Sequence, residues 1–240
     1  MSEEQARARA PPQSREKYDI GGLFKGNQEW IAAQKERESE FFDKLGAVHN
    51  PEYMWIGCAD ARVPANEIMN MDAGTVFVAR NVANMVVESD TNLMSALQYA
   101  VQFLKVKQIL VVGHYDCGGI RASMNPTILP PPLGKWIANV KKVYKHHQEE
   151  LQVIEDLEAR HRKMVEFNVI EQAWNVLQTK FVKEQQAQHA DDPDQMVQVH
   201  ALVFDPKDGI LRNLDTGLLD ERLEAWCHEI DEEVSRVNVP

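Results

Sequence analysis

Cys58, Asp60 and Arg62 stand in the segment CADARV (58–63), and His114 and Cys117 stand in GHYDCGG (113–119). Two thiolates and one imidazole make a soft donor set of the kind that selects zinc. Three protein ligands leave the fourth tetrahedral position to water or substrate, the arrangement of a catalytic ion rather than a structural one. Asp60 follows Cys58 closely enough to reach that ion or a water on it. Arg62 follows in turn, and its planar fork suits a bidentate pair that orients Asp60 and favours its charged form. The chemistry these residues suit is attack by an activated water.

Each ligand segment follows an apolar run that must position it. YMWIG (53–57) leads into the first and QILVVG (108–113) into the second. A short apolar run ended by glycine predicts a parallel strand covered on both faces. The ligands then fall just past the carboxyl ends of two strands, where open α/β sheets carry their chemistry. Gly118 and Gly119 are expected to let the backbone turn at the metal and start a helix. TVFVA (75–79) is read as another buried strand. Residues 89–104 are read as a helix capped by Ser89 or Asp90, with Leu93, Leu97, Ala100, Val101 and Leu104 facing inward. ILPPPLGKW (128–136) reads as a loop, 136–188 as helical, and VQVHALVF (197–204) as a strand turned by DPKDG into ILRNL (210–214). The alternation predicts an α/β fold, a mainly parallel mixed β-sheet flanked by helices.

Residues 27–46 read as amphipathic helices with Trp30, Ile31, Phe41, Phe42 and Leu45 as the apolar stripe, and this stretch has no core of its own. No repeat and no Gly/Ser linker divides the 240 residues, so a single zinc domain is expected over 27–240, after a disordered N-terminal arm over 1–26. A formal net charge of −11 argues against nucleic acid or an anionic membrane as partner. No apolar run approaches the roughly 20 residues of a membrane span. The first 20 residues lack the hydrophobic stretch of a secretory signal. Arg7, Arg9 and Arg15 hint at a mitochondrial presequence, but Glu3, Glu4, Glu16 and two prolines oppose it, and the cytoplasm is expected. Three cysteines build no disulfide framework, and a reducing compartment keeps Cys58 and Cys117 as thiolates. Cys227 is read as a small buried hydrophobe of a C-terminal helix, not as a fourth ligand. His146 and His147 are read as a solvated face, His161, His189 and His228 as surface residues, and His200 as a hydrogen-bonded strand histidine.

With Cys-x-Asp-x-Arg followed by Gly-His-x-x-Cys-Gly-Gly, the chain resembles the β-class carbonic anhydrases. VPANEIMNMDAGTVFVARNVAN (63–84), ALQYAVQFLKVKQILVVGH (96–114), EFNVIEQAWNVL (166–177) and HALVFDPKDGIL (200–211) extend the resemblance over residues 27–215. It implies one zinc ion per chain on Cys58, His114 and Cys117, with Asp60 and Arg62 as the catalytic dyad. It implies reversible hydration of carbon dioxide to bicarbonate and a proton. It also implies N-terminal helices that pack on a second subunit of a homodimer or higher oligomer. In one subset of the family bicarbonate binds off the metal and the Asp swings onto zinc. Trp55 and Arg80 match two residues of that site, while Phe204 stands where the subset has Tyr. Ala59 and Ala61 replace common serines and remove hydrogen bonds near the dyad without touching a ligand. The alternative on the same scaffold is a hydrolase of carbonyl sulfide or carbon disulfide, which needs the same ligands. A zinc or bicarbonate sensor, or a redox sensor on the two cysteines, has no use for the Asp60–Arg62 pair.

Overall fold

The computed structural model describes residues 20–214, Thr127 apart. They belong to two compact units that divide between His49 and Asn50. Cys227 and His228 lie outside the described residues.

In the first unit, α1 (Ile20–Arg37) is followed by α2 (Phe41–Ala47). Residues 20–26, assigned by the sequence to the arm, are helical and open α1. Trp30, Phe41 and Phe42 meet edge to face, with ring centroids 5.1 to 6.2 Å apart. That trio encloses Phe41, but α1 itself buries nothing, and Ile20, Leu23 and Phe24 are each about two-thirds exposed. The apolar stripe of Trp30, Ile31, Phe41, Phe42 and Leu45 is therefore partly covered within its own unit, and the apolar residues ahead of it on α1 are not.

The second unit is built on β1 (Tyr53–Cys58), β2 (Val76–Asn81), β3 (Gln108–His114), β4 (Gln198–Phe204) and β5 (Leu211–Asn213). They form one sheet in the order β2-β1-β3-β4-β5, parallel except for the final β4–β5 hairpin. The central strands are uninterrupted apolar runs because both faces are covered. Met54, Ile56, Ile109 and Val111 enter one cluster, and Trp55, Leu110 and Val112 enter another, the two-residue alternation of a strand. β2 corrects the expectation of a second buried strand. It lies at the sheet edge, none of its residues is fully buried, and Val78 is 40 % exposed.

Helices cover the sheet: α3 (Ala65–Ile68), α4 (Thr91–Gln98), α5 (Gly118–Met124), α6 (Leu133–His146), α7 (Gln148–Gln152), α8 (Leu157–Gln178) and α9 (Lys180–Gln188). Asp90 is the cap of α4, its carboxylate accepting from the N–H groups of Asn92 and Leu93. A wider π turn continues α4 through Tyr99–Leu104. Leu93, Leu97, Ala100, Val101 and Leu104 are all buried, as their spacing predicts. α8 packs closely on β3, and a Cβ on Gly113 would come within 2.3 Å of Val169 Cγ2. The glycine that ends the apolar run is there so that this helix can approach. None of the described helices is long and apolar enough to cross a membrane.

Candidate metal centre

β1 and β3 are neighbours, with Gly57 opposite Val112. In the strand order β2-β1-β3-β4 the chain departs to one side after β1 and returns on the other for β3. Their carboxyl ends therefore frame the crevice where open parallel sheets bind ligands. Cys58 ends β1, His114 ends β3, and Cys117 precedes α5. All three are buried, and their donor atoms lie within 4.8 Å of one another.

The donors fit a tetrahedral zinc ion. Cys58 Sγ and Cys117 Sγ are 3.9 Å apart, against about 3.8 Å for two thiolates on one tetrahedral zinc. His114 Nδ1 donates to the Tyr115 carbonyl at 2.9 Å, which leaves Nε2 as the lone-pair nitrogen. That Nε2 is buried and has no hydrogen-bond partner. A buried, orphaned acceptor beside two sulfurs is what a cation would satisfy. The contact with Cys117 pushes Cys58 down to about 4, and the same contact together with burial pushes Cys117 up. A bound cation would displace any proton held between the two sulfurs.

Asp60 sits beside the open side of this cluster, Oδ2 3.8 Å from His114 Nε2. Arg62 grips it at three points: Nε to Oδ1 at 3.0 Å, Nη2 to Oδ2 at 2.7 Å, and its backbone N–H to Oδ1 at 2.9 Å. The Arg62 hydrogen bonds hold the Asp60 carboxyl well below the usual carboxylate range. Arg80 reaches over from β2, donating from Nε to the Cys58 carbonyl at 2.8 Å and from Nη2 to the Asp60 carbonyl. It therefore clamps the backbone of the ligand segment. Trp55 is fully buried, with its Nε1 unpartnered and folded over Gly57, the residue opposite Arg80 in the sheet. Phe204 packs in the same apolar cluster as Trp55.

Several supporting residues escaped the sequence. Asp116 accepts from Arg62 Nη1 at 3.2 Å and from Arg121 Nη2 at 3.0 Å, and Arg121 also donates to Glu158 at 2.9 Å. The signal was an Asp between the two β3-side ligands, a charge beside a strand end. Asp116 also takes the left-handed φ of 59° that turns the chain between His114 and Cys117. The turn thus falls on Asp116, not on the glycines. Gly118 has open space where a side chain would stand, whereas a Cβ on Gly119 would meet Val82 Cγ1 at 2.9 Å and Ala83 Cβ at 3.1 Å. Two histidine assignments are corrected. His161 is buried under the site, Nε2 3.2 Å from the Cys117 carbonyl, and burial lowers its pKa. His147 is buried, stacked on Phe167. His200 is half-buried and bonded to Gln108, as expected of a strand histidine.

A soft three-donor pocket at a sheet switch point, with an Arg-held carboxylate beside it, defines an α/β metalloenzyme centre. Residues 53–211 match the family model described as carbonic anhydrase. The chain is 46 % identical over 193 residues to a carbonic anhydrase of Emericella nidulans, covering 80 % of this chain and 82 % of that one. One of two tetrameric β-carbonic anhydrases of Sordaria macrospora superposes with a TM-score of 0.76 at 32 % identity, covering 82 % of this chain and 96 % of that one. A Coccomyxa β-carbonic anhydrase in complex with acetazolamide gives 0.76 at 35 % identity, covering 82 % and 86 %. The chain belongs to the carbonic anhydrase family, in its β class.

Proposed function

We propose that this chain hydrates carbon dioxide to bicarbonate and a proton, reversibly, with one zinc ion held by Cys58, His114 and Cys117. The observation that carries the reading is the buried, unpartnered His114 Nε2 facing two sulfurs at tetrahedral spacing. When bound, zinc supplies a Lewis acid that acidifies a water and so provides a nucleophile for carbon dioxide. Cys58 and Cys117, both buried, donate charge and keep bulk water from the rear of the site. Asp60 accepts a hydrogen bond from the attacking water and aims its lone pair. Because Arg62 keeps Asp60 ionised, Asp60 acts as acceptor and not as proton donor. Arg62 is the positioning residue, itself fixed by Asp116.

Trp55 and Arg80 are proposed to hold bicarbonate away from the metal. The unpartnered indole N–H beside the Arg80 strand position supports this. Phe204 contributes no hydroxyl to such a site. Hydrolysis of carbonyl sulfide or carbon disulfide would begin with the same attack, so the two activities must be compared directly. Stopped-flow assays of the zinc-loaded protein should give a larger kcat/KM for carbon dioxide than for carbonyl sulfide. The reverse order would replace this reading with the hydrolase.

Self-association is proposed too, as a homodimer or higher oligomer whose N-terminal helices pack on the partner subunit. The uncovered apolar residues at the start of α1, Ile20, Leu23 and Phe24, support it. Sedimentation at micromolar concentration should show a dimer or larger species. A stable, active monomer would overturn the proposal.

A further inference from the structure

A second group of metal-type donors lies outside the site described above. His146 ends α6, His147 joins it to α7, and Glu171 faces them from the middle of α8. Their donor atoms all lie within 4.8 Å of one another. His147 Nε2 is 3.0 Å and His146 Nε2 3.8 Å from the same Glu171 oxygen. Ligands that share one ion at 2.0 to 2.2 Å stand about 3 to 3.5 Å apart, so a small rotation of the exposed His146 side chain toward Glu171 would bring that pair into register.

Three further features suit a cation. His147 has its other nitrogen, Nδ1, 3.0 Å from Glu150 Oε1. A carboxylate behind an imidazole is the pairing that orients metal-binding histidines and raises their basicity. The His147 ring is 4 % exposed and lies parallel to Phe167 with centroids 4.0 Å apart, so its direction is set before any ion arrives. His146 and Glu171 line a cavity of about 1150 Å³ bounded by α6, α8, α9 and residues 85–89, through which an ion and its waters can enter. Glu88, Glu171 and Glu184 line this cavity together with Lys142, Lys180 and Lys183, so its charged lining is balanced.

We propose that His146, His147 and Glu171 form a second metal site, for a divalent ion of the zinc, nickel or cobalt kind. Two imidazoles favour such ions over magnesium and calcium, which prefer oxygen ligands. An ion there ties the α6–α7 junction to α8. The site is independent of the zinc assigned to the catalytic cluster.

The test uses the full chain, loaded with one equivalent of zinc and freed of excess, then titrated with zinc or nickel by calorimetry alongside metal analysis. A second equivalent should bind with a Kd in the micromolar range, and it should raise the melting temperature. Glu171→Gln keeps an acceptor for His147, and His146→Ala removes an exposed ligand. Each should weaken the second equivalent about tenfold or more while leaving the first equivalent and the hydration rate unchanged. Glu150→Gln should weaken it about tenfold. Saturation at one equivalent would overturn the proposal. So would a second equivalent that both ligand variants bind as tightly as the parent.

Discussion

Arg62→Ala should lose about 100-fold or more in the hydration rate while retaining a full equivalent of zinc. Two of the three hydrogen bonds on the Asp60 carboxylate come from the Arg62 side chain, and of the three only the backbone bond at 2.9 Å survives the substitution. The released carboxylate can rotate toward the cation, its Oδ2 being already 3.8 Å from His114 Nε2. On a bound zinc, Asp60 and water would then compete for the open ligand position. The water gains as pH rises, so the parent rate should climb from about pH 7 to about pH 9. Titration of Asp60 does not cause that climb. Its folded pKa is lowered by Arg62, so the pair is intact above the ordinary carboxylate pKa and is lost only as pH falls below it. Stopped-flow rates and metal content on the same samples decide the matter. Full activity in the variant, or a flat parent profile over this range, would mean that the dyad does not govern the site.

Cys117→Ser should abolish activity by a different route, because the metal itself is lost. Cys117 is 1 % exposed, and its sulfur is one of the two in the cluster. A serine hydroxyl stays protonated at neutral pH and is a poor zinc donor, so the metal should fall below about a tenth of an equivalent after dialysis. Hydration should drop to background. A near-native melting temperature for the metal-free variant, measured against metal-free parent, separates ligand loss from misfolding. Tightly held zinc at one full equivalent in Cys117→Ser would refute the assigned ligand set.

Much of the candidate metal centre was legible in the sequence because its chemistry is local. Asp60 and Arg62 are near neighbours in one loop, and the arginine backbone N–H completes the grip, so the pair follows from spacing alone. The apolar runs 53–57 and 108–113 announced strands because their residues must be buried on alternate faces. A cap at Ser89 or Asp90 was legible for the same local reason, and the structure gives it to Asp90, whose carboxylate accepts from N–H groups two and three residues ahead.

Contacts between distant segments were set only by tertiary packing. Periodicity shows that a residue is buried, not which element buries it. That β1 lies beside β3, bringing Cys58 to Cys117, depends on the strand order. β2 carries the residues of a buried strand and yet lies at the edge, because covering a strand takes neighbours that its own residues cannot supply. The clamp of Asp116, Arg121 and Glu158 on Arg62 joins segments far apart in the chain. His147 and His161 sit in polar sequence and are buried because α8 meets the rest of the domain there. Residue types and near-neighbour spacing determined the donors and the dyad. Only the packing of strands and helices, which closes long loops to bring remote side chains together, decided what surrounds them.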